Sequence, residues 1–230
     1  MINRCCSGGN YLHCIVIQSR QMKNTNAFLK EEFTKLVAGY GHAAIADELW
    51  TELEKAYSGK GRHYHTLEHL DNLFTQLSEI QTQLNDRNAV LFSLFYHDAV
   101  YNVLRSDNEE KSALLAEKRM KQMAVPVETI EKCKAQILAT KAHLFTDDSD
   151  TAFFTDADLS VLGATPETYT NYYRQVRKEY SIYPDMVYKP GRKKVLRHFL
   201  DMERIFSTGH FYEKFEAQAR INLKAELELL

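Results

Sequence analysis

From Asn24 onward, apolar residues return every three or four positions nearly throughout the chain, the spacing of amphipathic helices. Phe28, Leu29, Phe33, Leu36 and Val37 form a first stripe, and Ile45, Leu49, Leu53 and Ala56 a second. The stretch YSGKGRHYHT, 57–66, breaks the pattern with two glycines. A third helix is predicted from about Leu67 to Leu84, with Leu70, Leu73, Phe74 and Leu77 inward. Val90, Leu91, Phe92, Leu94, Phe95 and Tyr96 are too continuously apolar for a surface helix, so a buried fourth helix is expected. Asp107 and Glu110 predict a capping box for a fifth, lined by Ala113, Leu114 and Met120. Pro126 suits the first turn of a sixth, followed by Ile130, Ile137 and Leu138. Thr165-Pro166 caps another helix, through Tyr169, Tyr173 and Val176. YPDMVYKPGRKK, 183–194, reads as a loop leading into a helix with Val195, Leu196, Phe199, Leu200 and Ile205. A last helix from Tyr212 keeps Phe215, Ala219, Leu223 and Leu227 on one side. No β-alternation, internal repeat or Pro/Ser-rich linker stands out. The prediction is one all-α multi-helix domain over 22–230, preceded by a poorly structured extension, 1–21.

Composition narrows the function classes. At 230 residues and 44% hydrophobic, the chain can bury a full core. A net charge of −2 gives no bulk electrostatic case for nucleic acid or an anionic membrane. No apolar run reaches the ~18 residues of a membrane span, and polar residues interrupt any signal-peptide core at the start. Of four cysteines, Cys5, Cys6 and Cys14 cluster in the extension and Cys133 stands alone. That is no disulfide framework, so a reducing cytoplasm is expected.

The chemistry gathers where apolar runs end. His63, His65 and His69 fall within seven positions, and His65 and His69, four apart, project from one helix face. His97-Asp98 closes the apolar run 28 residues after His69. His143 follows ILATKA, and Asp156 and Asp158 sit in FFTDADLSVLG. Burying such groups without partners costs several kcal/mol, roughly 2–7 even for a neutral polar group. A divalent cation compensates buried Asp and neutral His together, and a site between central helices is therefore expected.

The ordered set His…His-Asp…Asp resembles the HD-domain superfamily of all-helical, metal-dependent phosphohydrolases. The strings RHYHTLEH, HDAVYN, NEEKSA, LATKAH, DADLSVLG, GRKKVL and ARINLKAEL are similar to those of a bacterial branch of predicted HD phosphohydrolases, and they span about Arg62 to Glu226. The resemblance implies that His97 and Asp98 are the name-giving pair and that Asp158 is the final aspartate. The 28-residue distance favours His69 over His65 as the first ligand, leaving His65 at the pocket mouth for substrate or water. Asp156 is then an orienting group or an alternative ligand, and His63 a solvent-facing neighbour. The implied cofactor is one divalent ion, with Mn, Fe, Co, Ni, Zn and Mg all allowed. The implied partner is a small phosphorylated substrate, a nucleotide among the candidates.

Such chemistry needs positive charge around the phosphoryl oxygens. Lys141 is the leading candidate and Arg62 the next, with His143 expected on the substrate side. Arg177 and Arg192 are weaker candidates, which a solvated helix face explains about as well, and the run Arg192, Lys193, Lys194 and Arg197 is able to bind an anion but reads better as solvated surface. Glu109 is a candidate for proton transfer, while Glu110 is expected to cap its helix. Tyr64, Tyr96 and Tyr101 flank the site. Asp98 is expected to be the one carboxylate placed to bridge two ions. Two other classes fit the same residues: an HD-fold di-iron oxygenase, and a catalytically weak nucleotide-binding sensor.

Overall fold

The computed structural model describes residues 25–143 and 145–230. The expected extension, with Cys5, Cys6 and Cys14, lies outside the described residues. Ten α-helices, and no strands, occupy the described part. They are α1 (Thr25–Ala38), α2 (Ala46–Tyr57), α3 (Leu67–Glu79), α4 (Arg87–Tyr96) and α5 (Asn108–Gln122). There follow α6 (Val127–Ala139), α7 (Ser149–Leu159), α8 (Pro166–Glu179), α9 (Asp185–Asp201) and α10 (Gly209–Leu229).

Helix α4 is the axis of the fold. Every residue from Ala89 to Tyr96 is buried, as a helix apolar on all sides requires. Asp86 starts it by accepting the Ala89 N–H at 3.0 Å. Helix α6 packs along α4 and pairs with α5, while α1 and α3 cover other sides. Phe33, Trp50 and Phe95 interlock beneath them, with Phe33–Phe95 ring centroids 5.0 Å apart. Burying such a ring contributes roughly 1.5–3 kcal/mol. The last helix, α10, lies against the 3-10 turn Ser160–Gly163 that follows α7. There Gly163 has no space for a side chain: a Cβ would meet the Phe215 Cβ at 2.5 Å and its carbonyl oxygen at 2.6 Å.

Several local expectations change. The predicted loop 183–194 is helical from Asp185, with Pro190 inside α9. Proline removes the bond to the carbonyl four residues back, here that of Met186, whose residue is 89% exposed to water. The Asp107/Glu110 capping box does not form: Asp107 makes no cap bond and pairs with Arg105. Leu114, Leu138 and Val195 are exposed rather than inward, at 63%, 42% and 43%. Helix α3 ends at Glu79, and a separate 3-10 turn, Gln81–Gln83, carries the chain to Leu84. Thr165 caps α8 as expected, accepting from the Thr168 N–H with Pro166 behind it.

Candidate metal centre

Three chain breaks supply the centre. Thr66 precedes α3, which places His69 in the first turn facing inward, 4% exposed. Helix α4 stops at Tyr96, so His97 caps it and Asp98 turns into the following loop. Asp158 is the penultimate residue of α7. Arg62 ties two of these together, donating to the carbonyl oxygens of His65 at 3.0 Å and Asp98 at 2.7 Å. Its guanidinium also lies over the Tyr57 and Tyr101 rings. Arg62 is thus a clamp between loops, not the free phosphate-binding cation expected of it.

The ligand atoms converge. His69 Nε2 and His97 Nε2 stand 3.1 Å apart. Asp98 Oδ2 is 3.2 Å from His97 Nε2 and 3.8 Å from His69 Nε2. Asp158 Oδ1 is 3.3 Å from His69 Nε2 and 3.8 Å from His97 Nε2. Among the described residues, His69, His97 and Asp158 form a group able to hold an ion, their ligand atoms all within 4.8 Å of one another. Ligand bonds of ~2.1 Å set neighbouring ligand atoms about 3.0 Å apart at a right angle and about 3.4 Å at the tetrahedral angle. Three of the separations match and two are wider. His97 Nδ1 lies 3.0 Å from the Leu94 carbonyl, an acceptor only, so Nδ1 carries a proton and Nε2 is the nitrogen turned toward the cluster. The donor set, two imidazoles and two carboxylates, fits a divalent first-row ion.

The electrostatics agree. Burial lowers the pKa of His97, but the Asp98 carboxylate beside it lifts the value to about 9. Burial would raise the Asp98 and Asp158 carboxyls, yet the neighbouring imidazoles hold both below their usual range. The carboxylates draw cationic charge into the cluster.

His65 does not join the tight group. Its Nε2 lies 3.9 Å from Asp98 Oδ2, while its Nδ1 meets Glu179 Oε2 at 2.6 Å. Glu179 was not anticipated. Its other oxygen accepts the backbone N–H groups of His63, Tyr64 and His65 at 2.7, 2.8 and 3.0 Å. The Tyr101 hydroxyl donates to Oε2 at 2.9 Å. Burial raises the Glu179 pKa, but His65 and these N–H groups bring it down to about 2. The bond to an acceptor-only carboxylate assigns the His65 proton to Nδ1 and leaves Nε2 facing Asp98.

His143 arrives from the other side. Helix α6 ends at Ala139, and His143 adopts φ 47°, a left-handed conformation uncommon outside glycine. Its Nε2 stands 3.7 Å from Asp158 Oδ2, and burial lowers its pKa. Asp158 therefore shows one oxygen to His69 and the other to His143, so it, and not Asp98 alone, has bridging geometry.

A cleft of about 880 Å³ opens over the cluster, lined by His65, His97, Asp98, His143 and Asp158. That volume suits a small organic ligand. Lys141 and Glu109 reach its rim, but Lys141 is engaged by Glu110 and by the Ser106 carbonyl, with Glu109 3.9 Å away. Tyr64 and Tyr101 line the cleft, whereas Tyr96 is buried in the core. Asp156 is no ligand: it accepts the Ser207 and Thr208 N–H groups at 2.9 and 2.7 Å and anchors the entry to α10. Arg192, read as surface, is buried and paired with Glu226 at 2.7 Å. Arg177 is half-buried rather than solvated: besides Asp185 it donates to the carbonyls of Tyr180 and Tyr183 at 3.0 and 3.1 Å. His63 is exposed, as expected. No helix among the described residues is long and apolar enough to cross a membrane.

Compared with models of known protein families, with curated proteins and with solved structures, the chain matches none.

Proposed function

We propose that this chain is an HD-type metal-dependent phosphohydrolase acting on a small phosphate ester, with its ion held by His69, His97, Asp98 and Asp158. The observation that carries the reading is the meeting of two imidazole Nε2 atoms and two carboxylates, with His97, Asp98 and Asp158 lining a cleft and His69 buried behind them. The seven family-like strings, which include all four ligands, support it. When bound, such an ion supplies Lewis acidity, polarising a phosphoryl oxygen and making water acidic enough to attack near neutral pH. His65, its Nδ1 proton fixed on Glu179, keeps Nε2 free to accept a proton from water beside Asp98. His143, across Asp158 from that point, donates to the substrate side of the cleft. Lys141, its charge shared with Glu110, contributes a field at the rim rather than a bond.

The test is a metal-by-substrate matrix. Metal-free protein is reconstituted separately with Mn, Fe, Co, Ni, Zn and Mg. Each form is assayed on phosphomonoesters, cyclic nucleotides, nucleoside triphosphates and guanosine polyphosphates. Phosphate release is expected in at least one pairing. Asp98→Ala should abolish both release and metal binding with helical content unchanged. Release in no pairing, or a full metal complement in Asp98→Ala, overturns the proposal, and the first result revives the nucleotide sensor. A two-ion reading, which the di-iron oxygenase also needs, has one observation in its favour: the split allegiance of the Asp158 oxygens. Two metals per chain, falling to one in His143→Ala, would select it.

A further inference from the structure

Four lysines and arginines line the cleft, and three are already neutralised. Arg105 is paired with Asp107, Lys141 with Glu110, and Arg192 with the buried Glu226. The fourth, Lys194 on α9, makes no hydrogen bond or ion pair among the described residues. His198, one helical turn further on, lines the same wall and likewise makes no hydrogen bond there. Four residues apart, the two side chains share one helix face. Gly191, one turn before Lys194, leaves this wall open, since a Cβ there would meet nothing within 4 Å.

The wall continues directly from the candidate metal centre. Asp158 Oδ2 is 3.7 Å from His143 Nε2, the His143 ring is 6.2 Å from that of Phe199, and Phe199 adjoins His198. Val195 and Phe199 line the cleft beside Lys194 and His198. On the phosphohydrolase reading the phosphoryl group at the floor meets the ion and His143, and Lys194 and His198 stand beyond His143 and Phe199 along the wall, placed for a second anion.

We infer that Lys194 and His198 form a second anion site, and that the substrate carries two oxyanionic groups. One is the phosphoryl group over the ligand cluster; the other is a phosphate or carboxylate resting on α9. The role of the first group rests on the phosphohydrolase reading, whereas the second site is a property of the α9 wall.

Two measurements test the site. Inorganic phosphate is titrated into the metal-free chain by calorimetry, using wild type, the Lys194→Ala/His198→Ala double variant and Arg197→Ala, an exposed control off the cleft. Affinity should fall about three- to fivefold in the double variant, the upper range for an exposed ionic contact, and stay unchanged in the control. All three changes are at exposed positions, so the fold should hold. In the metal-loaded enzyme, the double variant should raise KM for an alkyl bisphosphate by a similar factor. Its kcat, and the KM for the matching monophosphate, should stay within about twofold. Unchanged phosphate affinity in the double variant, or an equal KM rise for both substrates, overturns the inference. Because the titration needs no turnover, a chain that binds phosphate on α9 yet hydrolyses nothing would defeat the phosphohydrolase reading and leave the anion site standing.

Discussion

Replacing Glu179 by glutamine separates anchoring from proton placement. One oxygen of Glu179 accepts three backbone N–H groups, and the other meets His65 Nδ1 at 2.6 Å and the Tyr101 hydroxyl at 2.9 Å. Glutamine keeps the first acceptor and turns the second into an NH₂ donor. His65 must then present a lone pair at Nδ1 and carry its proton on Nε2, where it can no longer accept one. The stability cost follows from the carboxyl's pKa of about 2, against 4.5 for an ordinary glutamate. A folded-state value below the unfolded one means stability present above about pH 4.5 and lost as pH falls toward 2. The difference corresponds to about 3 kcal/mol at neutral pH, which glutamine, a mimic of the neutral form, forfeits. For a chain of this size, Tm should fall by about 6–12 °C. Turnover should fall by about 10²–10⁴, the range for a misplaced general base, while metal content stays at wild-type level. The assays are thermal circular dichroism, elemental analysis, phosphate release, and ¹⁵N NMR of the His65 ring in the Zn-loaded protein. Wild-type turnover in Glu179→Gln, alongside its loss in His65→Ala, would refute the reasoning, as would an Nδ1-protonated ring in the variant.

Other predictions rest on separate features. His69→Ala should lose the metal while His65→Ala keeps it with reduced turnover, read by elemental analysis; the reverse pattern would exchange their roles. Arg192→Ala leaves Glu226 buried without its cation and should cost about 3–5 kcal/mol in chemical denaturation; a loss below about 1 kcal/mol would mean that water reaches the carboxylate. Gly163→Ala forces α10 away from the 3-10 turn and should cost about 1–3 kcal/mol in chemical denaturation.

The helices were legible because their spacing is set locally. Ionisable groups at the ends of apolar runs marked the clusters around His65 and His69, His97-Asp98, and Asp156 and Asp158, while the selection of His69 and Asp158 within them came from the family resemblance. Glu179, Arg192 and Glu226 were not legible, being charged residues in charged surroundings whose partners lie far along the chain. His65 and Glu179 are 114 residues apart, Arg192 and Glu226 34. One signal was present in each case: register. Glu179 follows Tyr172 and Val176 at helical spacing, Arg192 precedes Leu196 and Phe199, and Glu226 follows Ala219 and Leu223. A charge on an apolar stripe is a buried partner in waiting, whereas composition alone assigns it to solvent. The stretch 183–194 misled in the opposite direction: it reads as a loop, yet Pro190 sits inside α9 without ending it.

The seating of the turn behind Asp158 has a consequence in time. Asn222 donates to the carbonyls of Leu162 and Ala164 at 2.8 Å each, and Phe215 backs directly onto Gly163. Asn222 comes 60 residues after Leu162. At ~5–20 residues per second, a ribosome needs about 3–12 s to make that stretch. Throughout that interval the nascent chain holds all four ligand residues but not the brace that seats the last of them. On the metal-binding reading proposed above, ion capture during translation would wait until α10 has been made, and a prematurely terminated product would keep its histidines and aspartates without the brace behind Asp158.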